Sequence, residues 1–211
     1  MFTAHKSIAC LPVACLAVAL SVLPAAAGDE SPHAPDARTI MREGTTEIGL
    51  MGGYWQAFDP WGDAISTDRA AIMVLPRFGR VISRTFDASI LSGNVELLLE
   101  PFYARWIRPF DADAYGGTLG LKYNFVSLGR WMPFWDIGIG GMWMEELSRL
   151  PEQSLRWSFV LQTGPGLQYF MSRNSAFTVG VRWQHFSNAG LGDRNRGLNG
   201  LLPYAGISFF F

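Results

Sequence analysis

The sequence predicts an all-β fold, specifically an eight-stranded antiparallel transmembrane β-barrel. Three observations support this prediction. Aromatic residues make up 14% of the 211 residues, glycine occurs 23 times, and charged residues reach only 17%, against about 25% in a typical soluble domain. From residue 45 onward, apolar side chains recur at every second position. After the N-terminal segment there is no apolar run of about 18 residues, the length needed for a membrane-spanning helix.

The N-terminus has the pattern of a secretory signal peptide, which we assign to residues 1–27. Lys6 supplies the positive charge, residues 8–23 form the apolar region, and alanines 25–27 precede the expected cleavage site. Both cysteines of the chain lie in this segment, so the mature protein is expected to contain no disulfide.

Residues 28–44 are polar and contain prolines, so we expect a loose periplasmic leader followed by the barrel at 45–211. Strands are expected near 45–56, 68–82, 90–106, 114–126, 132–145, 155–171, 176–188 and 200–211. In 114–126, one parity holds Tyr115, Leu119, Leu121, Tyr123 and Phe125, and the other holds Gly116, Thr118, Gly120, Lys122 and Asn124. The same alternation occurs in several of the other segments, and it is the pattern of strands that meet lipid on one face.

The face opposite the apolar one carries charges of both signs. They are Glu47, Glu96, Glu100 and Asp136, together with Arg69, Arg77, Lys122, Arg156 and Arg182. Because the signs nearly balance, we expect them to pair inside the barrel. A soluble β-sandwich also alternates but buries its apolar face, and it stays open as an alternative. Side chains fill a barrel of eight strands, so a general porin is excluded and function is expected at the rim, in the loops or on the lipid-facing wall.

The connections and aromatic residues fit the same fold. Short turns are expected at 127–130 and 172–175 and longer loops at 57–67, 146–154 and 189–199, so that long and short connections alternate. An even strand number places both termini in the periplasm. Aromatic residues form an outer band and an inner band. The outer band is Tyr54, Tyr103, Tyr115, Trp143, Trp157 and Trp183, and the inner band is Tyr123, Trp135 and Tyr169. Phe211 ends the chain as in the insertion signal of bacterial outer-membrane proteins.

Three polar side chains converge near the ends of the last two predicted strands. His185 is the only histidine of 45–211, and Ser187 lies about 6.6 Å further along the same strand face. Parity places both residues on the lipid-facing row, together with Asn199 on the final strand. Ordinary polar residues at the membrane interface would show the same convergence, so these positions alone leave catalysis open.

The segment His-Phe-Ser-Asn-Ala-Gly-Leu at 185–191, followed by Asn195 and by Gly-Leu-Asn at 197–199, resembles the C-terminal motif of the PagL family. Members of this family are lipid A 3-O-deacylases, eight-stranded outer-membrane barrels of Gram-negative bacteria. The resemblance implies a serine esterase with His185 as general base and Ser187 as nucleophile. Where the family has its acid, usually Glu, this chain has Asn199.

The resemblance also implies the substrate, an ester-linked acyl chain of lipid A in lipopolysaccharide, and a site that faces the outer leaflet. Asn199 can orient His185 through its amide oxygen but supplies no negative charge. Backbone N–H groups near Asn188 and Gly190 are expected to hold the oxyanion. Asp193 is the candidate acid if Asn199 has no such role.

Partners and alternative functions are limited by composition. A lone histidine in the folded part excludes a His-cluster metal site, no metal or organic cofactor is implied, and a formal net charge of −1 argues against nucleic acid. A non-enzymatic eight-stranded outer-membrane barrel with a structural or adhesive role stays open. An acyltransferase would need an apolar pocket inside the barrel, where the predicted charges leave little room.

Overall fold

The computed structural model describes residues 34–59 and 67–211. It contains helix α1, Ala37–Ile40, and the strands β1 Thr46–Ala57, β2 Ala70–Val81, β3 Gly93–Arg108, β4 Ala112–Phe125, β5 Trp131–Met144, β6 Trp157–Ser172, β7 Ser175–Ser187 and β8 Leu198–Phe210. Two short 3₁₀ helices, Ser89–Leu91 and Glu145–Arg149, lie in connections. Within the described ranges, no helix has the length and hydropathy to cross a membrane. The predicted signal peptide, 1–27, falls outside them.

The strands form one closed antiparallel barrel. Each strand pairs with its neighbours in sequence, and β1 pairs with β8 to complete the circle. This confirms the predicted fold class and strand number, and the predicted strand bounds differ from the observed ones by only a few residues. Closure leaves no sheet edge unpaired, as a β-structure in hydrocarbon requires, because lipid offers no hydrogen-bond partner to a free N–H or C=O group.

Alternate side chains face the interior and the exterior, as the sequence pattern predicts. In β4, Leu119 and Leu121 are exposed, whereas Thr118 and Lys122, which flank them in sequence, are buried. The exposed large apolar residues continue around the barrel wall. A soluble barrel or sandwich would bury this set, so the structure argues against that alternative.

Buried ion pairs occupy much of the barrel interior. This interior ion network consists of Glu47, Arg77, Glu96, Glu100, Lys122, Asp136 and Arg182. Lys122 Nζ lies 2.6 Å from Glu47 and 2.8 Å from Glu96. Arg182 similarly bridges Asp136 and Glu100 at 2.8 and 2.7 Å. Pairing of this quality is required because each ion has left water, and its loss of hydration must be offset.

Two charges predicted inside the barrel lie elsewhere. The Arg156 side chain is exposed and pairs with Glu145 at 2.8 Å. Arg69 is buried at the rim, where it contacts Glu152 at 3.2 Å. Each arginine directly precedes a strand, β6 and β2 respectively, and outside a strand the alternation no longer determines which way a side chain points.

The two rims of the barrel differ. The site end is the rim at which β1 ends and β2 begins and which carries the connections 109–111, 145–156 and 188–197, and the terminal end carries residues 34–44 and Phe211. Beneath the site end the interior is apolar. There the ring of Trp55 lies 5.1 Å from that of Trp106 and 5.5 Å from that of Phe186. This packing anchors the last residues of β7 from inside.

The predicted alternation of long and short connections is only partly right. The turns near 127–130 and 173–174 are short, and long loops follow β1, β5 and β7 at the site end. However, the connection 82–92 at the terminal end is long, whereas 109–111 at the site end is short. The β3–β4 pairing extends as far as Trp106 and Ala112, so few residues remain there to form a loop.

An aromatic row lies across four strands at the site end. Tyr103, Tyr115, Trp143 and Trp157 are consecutive cross-strand partners on β3 to β6. These side chains point outward and are exposed on the barrel wall. The predicted outer aromatic band is therefore a continuous feature of the sheet over these strands, of the kind found at membrane–water interfaces.

The end of the predicted leader is not loose. Residues 37–40 form α1, and Ala37 and Met41 are fully buried. Met41 packs with Phe170 and Phe210 inside the terminal end, and Asn94 Nδ2 donates to the Met41 carbonyl oxygen at 2.6 Å. The expectation of a loose leader is based on the polarity and proline content of 28–44. The buried apolar contacts of Met41 order the end of this segment.

Candidate active site

The ends of β7 and β8 bring the predicted site residues together on the outer wall. His185 and Ser187 continue the exterior row of β7, which also carries the exposed Phe177 near the start of the strand. Phe186 lies between them in sequence, points inward and packs against Trp55. The inward anchor at Phe186 thus fixes the outward direction of its two polar neighbours, because successive side chains of a strand point to opposite faces.

Asn199 lies directly opposite His185 in the register of β7 and β8. His185 Nδ1 is 2.8 Å from Asn199 Oδ1. An amide oxygen can only accept, so Nδ1 carries the proton and donates it to this bond. In the neutral tautomer that makes this bond, the other ring nitrogen, Nε2, is the basic atom of the ring.

Trp183 and Gly197 flank the imidazole of His185. The Trp183 indole is stacked on it, with ring centroids 5.8 Å apart and planes inclined by 20°. Gly197, at φ +70°, lies against the Cε1 edge, where an added Cβ would come within 2.6 Å of Cε1.

An apolar groove of about 410 Å³ opens on the lipid-facing wall beside these residues. It is lined by Ile139, Gly140, Phe159, Val160, Leu161, His185 and Ser187. Its polar lining is thus supplied by the two predicted catalytic side chains. Within the described residues Ser187 Oγ makes no hydrogen bond, so its lone pairs and proton are free for another partner.

The loop 188–197 is held together by the side chain of Asn188, which is fully buried. Its Nδ2 donates to the Arg194 carbonyl at 2.8 Å, and its Oδ1 accepts from Gly190 N–H at 3.0 Å. The Asn188 N–H donates to Asn195 Oδ1 at 3.0 Å. The predicted oxyanion donors, the N–H groups of Asn188 and Gly190, are therefore already engaged inside the loop.

Asn195 is the site residue to which sequence reasoning gave no role. Its Oδ1 accepts the N–H of Asn188, the residue that directly follows Ser187, and within the described residues its Nδ2 makes no hydrogen bond. The signal in the sequence was its place within the segment 185–199, but spacing alone does not reveal a contact across a loop.

Asp193, the fallback candidate for the acid, is exposed in the same loop. Within the described part of the chain it makes no hydrogen bond or ion pair through its side chain. The position next to His185 Nδ1 is taken by Asn199. The geometry therefore favours Asn199 over Asp193 as the partner of the imidazole.

Comparison with known proteins identifies the family. The model of the lipid A 3-O-deacylase (PagL) family matches residues 86–208. The chain belongs to the PagL family. The PagL match runs from the β2–β3 connection almost to the end of β8, so it includes His185, Ser187 and Asn199. As a PagL-family member the chain is a lipid A 3-O-deacylase, a hydrolase of the Gram-negative outer membrane.

Solved structures of similar fold are outer-membrane barrels. The crystal structure of the outer membrane enzyme PagL is 20% identical, with a TM-score of 0.53 over 76% of this chain and 97% of that one. Neisserial surface protein A is 14% identical, with a TM-score of 0.52 over 80% and 100%. The N-terminal β-barrel domain of Pseudomonas aeruginosa OprF is 16% identical, with a TM-score of 0.51 over 80% and 98%. At these identities the likeness shows the fold alone. No curated protein sequence matches the chain.

Proposed function

We propose that this chain cleaves the 3-O-linked acyl ester of lipid A with Ser187 as nucleophile and His185 as general base. The assignment rests on one observation. His185 Nδ1 is bonded to Asn199 Oδ1 at 2.8 Å, with Ser187 two residues further along the same lipid-facing row. A base oriented by a third group beside a hydroxyl is the arrangement that activates a serine.

In the reaction, Ser187 Oγ attacks the ester carbonyl carbon while His185 Nε2 takes the hydroxyl proton. The tetrahedral intermediate then loses the sugar oxygen, which receives that proton from His185, and an acyl-serine ester remains. Water attacks this ester with Nε2 again as base, which releases the fatty acid and restores Ser187. Every proton transfer passes through one nitrogen, so the orientation of the imidazole controls both halves of the cycle.

Asn199 supports this cycle differently from a carboxylate. Its amide oxygen fixes Nδ1–H, which selects the tautomer in which Nε2 is basic. An amide is neutral, so it gives the imidazolium that forms during the reaction no full negative charge. Asn199 therefore orients His185, but it stabilises the imidazolium less than the carboxylate of a Ser-His-Asp triad does.

We assign the oxyanion donor to Asn195 Nδ2. The support is that Asn195 Oδ1 accepts the N–H of the residue after Ser187, which ties the amide to the chain next to the nucleophile and leaves Nδ2 to donate. A preoriented donor at the developing oxyanion lowers the barrier substantially, and removal of one such donor typically reduces kcat about 10²–10³-fold.

The apolar groove suits the acyl chain. Its volume of about 410 Å³ lies within the range of small-molecule sites, and Ile139, Phe159 and Leu161 give it an aliphatic and aromatic lining. Because it opens on the outer wall, an acyl chain can enter it sideways from the bilayer without passing through water. The aromatic row at the same rim supports a site end that lies at the membrane interface of the outer leaflet.

Neither alternative function gains support. Acyl transfer would need an apolar pocket within the barrel, and the interior is occupied by the interior ion network and the aromatic packing around Trp55. A purely structural or adhesive barrel gives no reason for a bonded His185–Asn199 pair beside an apolar groove.

The test is mass spectrometry of lipid A from Gram-negative cells that express the wild-type chain, Ser187→Ala or no chain. We expect the wild-type chain to remove one ester-linked acyl group and Ser187→Ala to leave lipid A unchanged. A half-exposed serine on the wall contributes little to packing, so the variant should still fold. Folding is checked by outer-membrane fractionation and heat-modifiable gel migration.

The matched control is Ser172→Ala, a serine at the opposite rim whose hydroxyl bonds only within its own turn. It should deacylate like the wild type. Lipid A that loses its acyl chain equally in Ser187→Ala cells would refute the assignment of the nucleophile.

A further inference from the structure

The proposed catalytic cycle leaves one charge unaccounted for. When Nε2 takes the proton of Ser187, His185 becomes a cation on the lipid-facing wall, where the low dielectric makes an isolated charge unfavourable. Asn199 holds Nδ1 at 2.8 Å but is neutral. Something else next to the ring must reduce the free energy of the imidazolium.

The group in position to do so is the Trp183 indole. It lies on the same exterior row of β7, with its centroid 5.8 Å from that of the imidazole and the two planes only 20° apart. A cation within about 6 Å of an aromatic centroid, over the face of the ring, is attracted by the negative face of the π-system. Trp offers the strongest such face among side chains, and the attraction grows when water is excluded.

We propose that Trp183 is a positioning residue that stabilises the His185 imidazolium through its indole face, in place of the charge that Asn199 does not supply. This inference rests on the proposed function. In the resting enzyme the ring is neutral and the stack contributes only packing. In the transition state the ring is charged and the contact strengthens, so the effect falls on kcat rather than on substrate binding.

The surrounding contacts keep the stack in register. Asn199 holds the Nδ1 corner, and the Gly197 backbone lies against the Cε1 edge. The bond at Nδ1 fixes one corner of the ring beside the indole, and Gly197 limits the space at the Cε1 edge.

The experiment measures kcat and KM of purified, folded protein in mixed vesicles of phospholipid and lipopolysaccharide. The variants are Trp183→Leu and Trp183→Phe, each made in the native chain and in Asn199→Glu. The control is Trp143→Leu, which removes an exterior tryptophan of the aromatic row on β5. Ser187→Ala is measured in parallel, so that failure of the proposed function is recognised separately.

We expect Trp183→Leu to lower kcat about tenfold with KM unchanged, and Trp183→Phe to retain most of the rate, because a benzene face still attracts the cation. Trp143→Leu should match the wild type. In the Asn199→Glu background the carboxylate supplies the charge, so Trp183→Leu should lower kcat less than threefold. A purely structural role would give equal losses in both backgrounds.

The inference is overturned if Trp183→Leu keeps kcat within twofold of the wild type, if Trp183→Phe loses as much as Trp183→Leu, if KM rises instead, or if the loss is the same with Glu at 199. An active Ser187→Ala protein would overturn the proposed function itself, whatever the tryptophan variants do.

Discussion

At the scale of single residues, position 199 sets the character of the site. The side chain there meets His185 Nδ1 at 2.8 Å and is itself buried. Its amide oxygen orients the imidazole. Because the amide is neutral, other contacts must stabilise the imidazolium that forms on His185. Substitutions at position 199 can therefore distinguish the orienting effect of this side chain on His185 from the effect of its charge on the imidazolium.

Asn199→Leu should reduce turnover strongly, by up to about 10⁴-fold, because nothing then fixes the tautomer of His185. Asn199→Glu should keep or raise turnover, and it should move the acid limb of the pH–rate profile to higher pH. The sign follows from the carboxylate, which favours the protonated imidazole, so that a higher pH is needed to free the base. The measurement is turnover against pH on purified lipid A. Wild-type turnover in Asn199→Leu would mean that 199 is not part of the catalytic group and would return attention to Asp193.

At the scale of elements, the loop 188–197 connects fold and chemistry. Asn188 ties its own loop together through Arg194, Gly190 and Asn195. The bond from the Asn188 N–H ties the Asn195 amide to the residue that follows Ser187. The oxyanion role that we propose for Asn195 therefore depends on this loop as well as on the strand ends that it joins.

A substitution at Asn195 can separate its structural bond to the Asn188 N–H from its proposed role as oxyanion donor. Asn195→Asp keeps an oxygen that can accept the Asn188 N–H but removes the Nδ2 donor and adds a negative charge beside the oxyanion. We expect its kcat to fall at least about 10²–10³-fold while the protein stays folded. Asn174→Ala, in the turn at the opposite rim, serves as control. Unchanged single-turnover acylation of Ser187 in Asn195→Asp would show that the donor lies elsewhere.

Most of these elements were predictable, and the exceptions have physical causes. Alternation is a local property of a strand, so it located all eight strands and put His185, Ser187 and Asn199 on one face. It carries no information beyond strand ends, which is why Arg156 was placed wrongly. Helix α1 owes its order to contacts with distant strands, and the engaged N–H groups of the loop depend on side chains that meet only in the fold.

At the scale of the whole molecule, the interior ion network links strands on opposite sides of the barrel. Lys122 on β4 reaches Glu47 on β1 and Glu96 on β3, so a single ammonium holds two carboxylates that would otherwise repel each other. Charge pairing therefore adds to the apolar packing that fills the interior at the two ends of the barrel.

Lys122→Met keeps the length of the side chain and removes its charge, which leaves the buried Glu96 carboxylate without a cation and leaves Glu47 only Arg77, at 3.7 Å. We expect a loss of about 3–5 kcal/mol in the free energy of unfolding. The measurement is urea unfolding of protein folded in vesicles, followed by tryptophan fluorescence. Arg84→Met, which removes an almost fully exposed charge paired with Glu43, should leave the midpoint unchanged. Equal midpoints for the two variants would contradict the role given to the network.

The groove between β5, β6 and β7 opens sideways, so the enzyme meets lipid A as a component of the membrane surface. A lipid reaches such an opening by lateral diffusion in two dimensions, so the relevant concentration is the number of lipid A molecules per unit area of leaflet. Adding inert phospholipid or detergent at constant total lipid A dilutes that surface and should slow the reaction. In the cell, the rate would then follow how densely lipid A is packed around each barrel and how fast it exchanges with its neighbours.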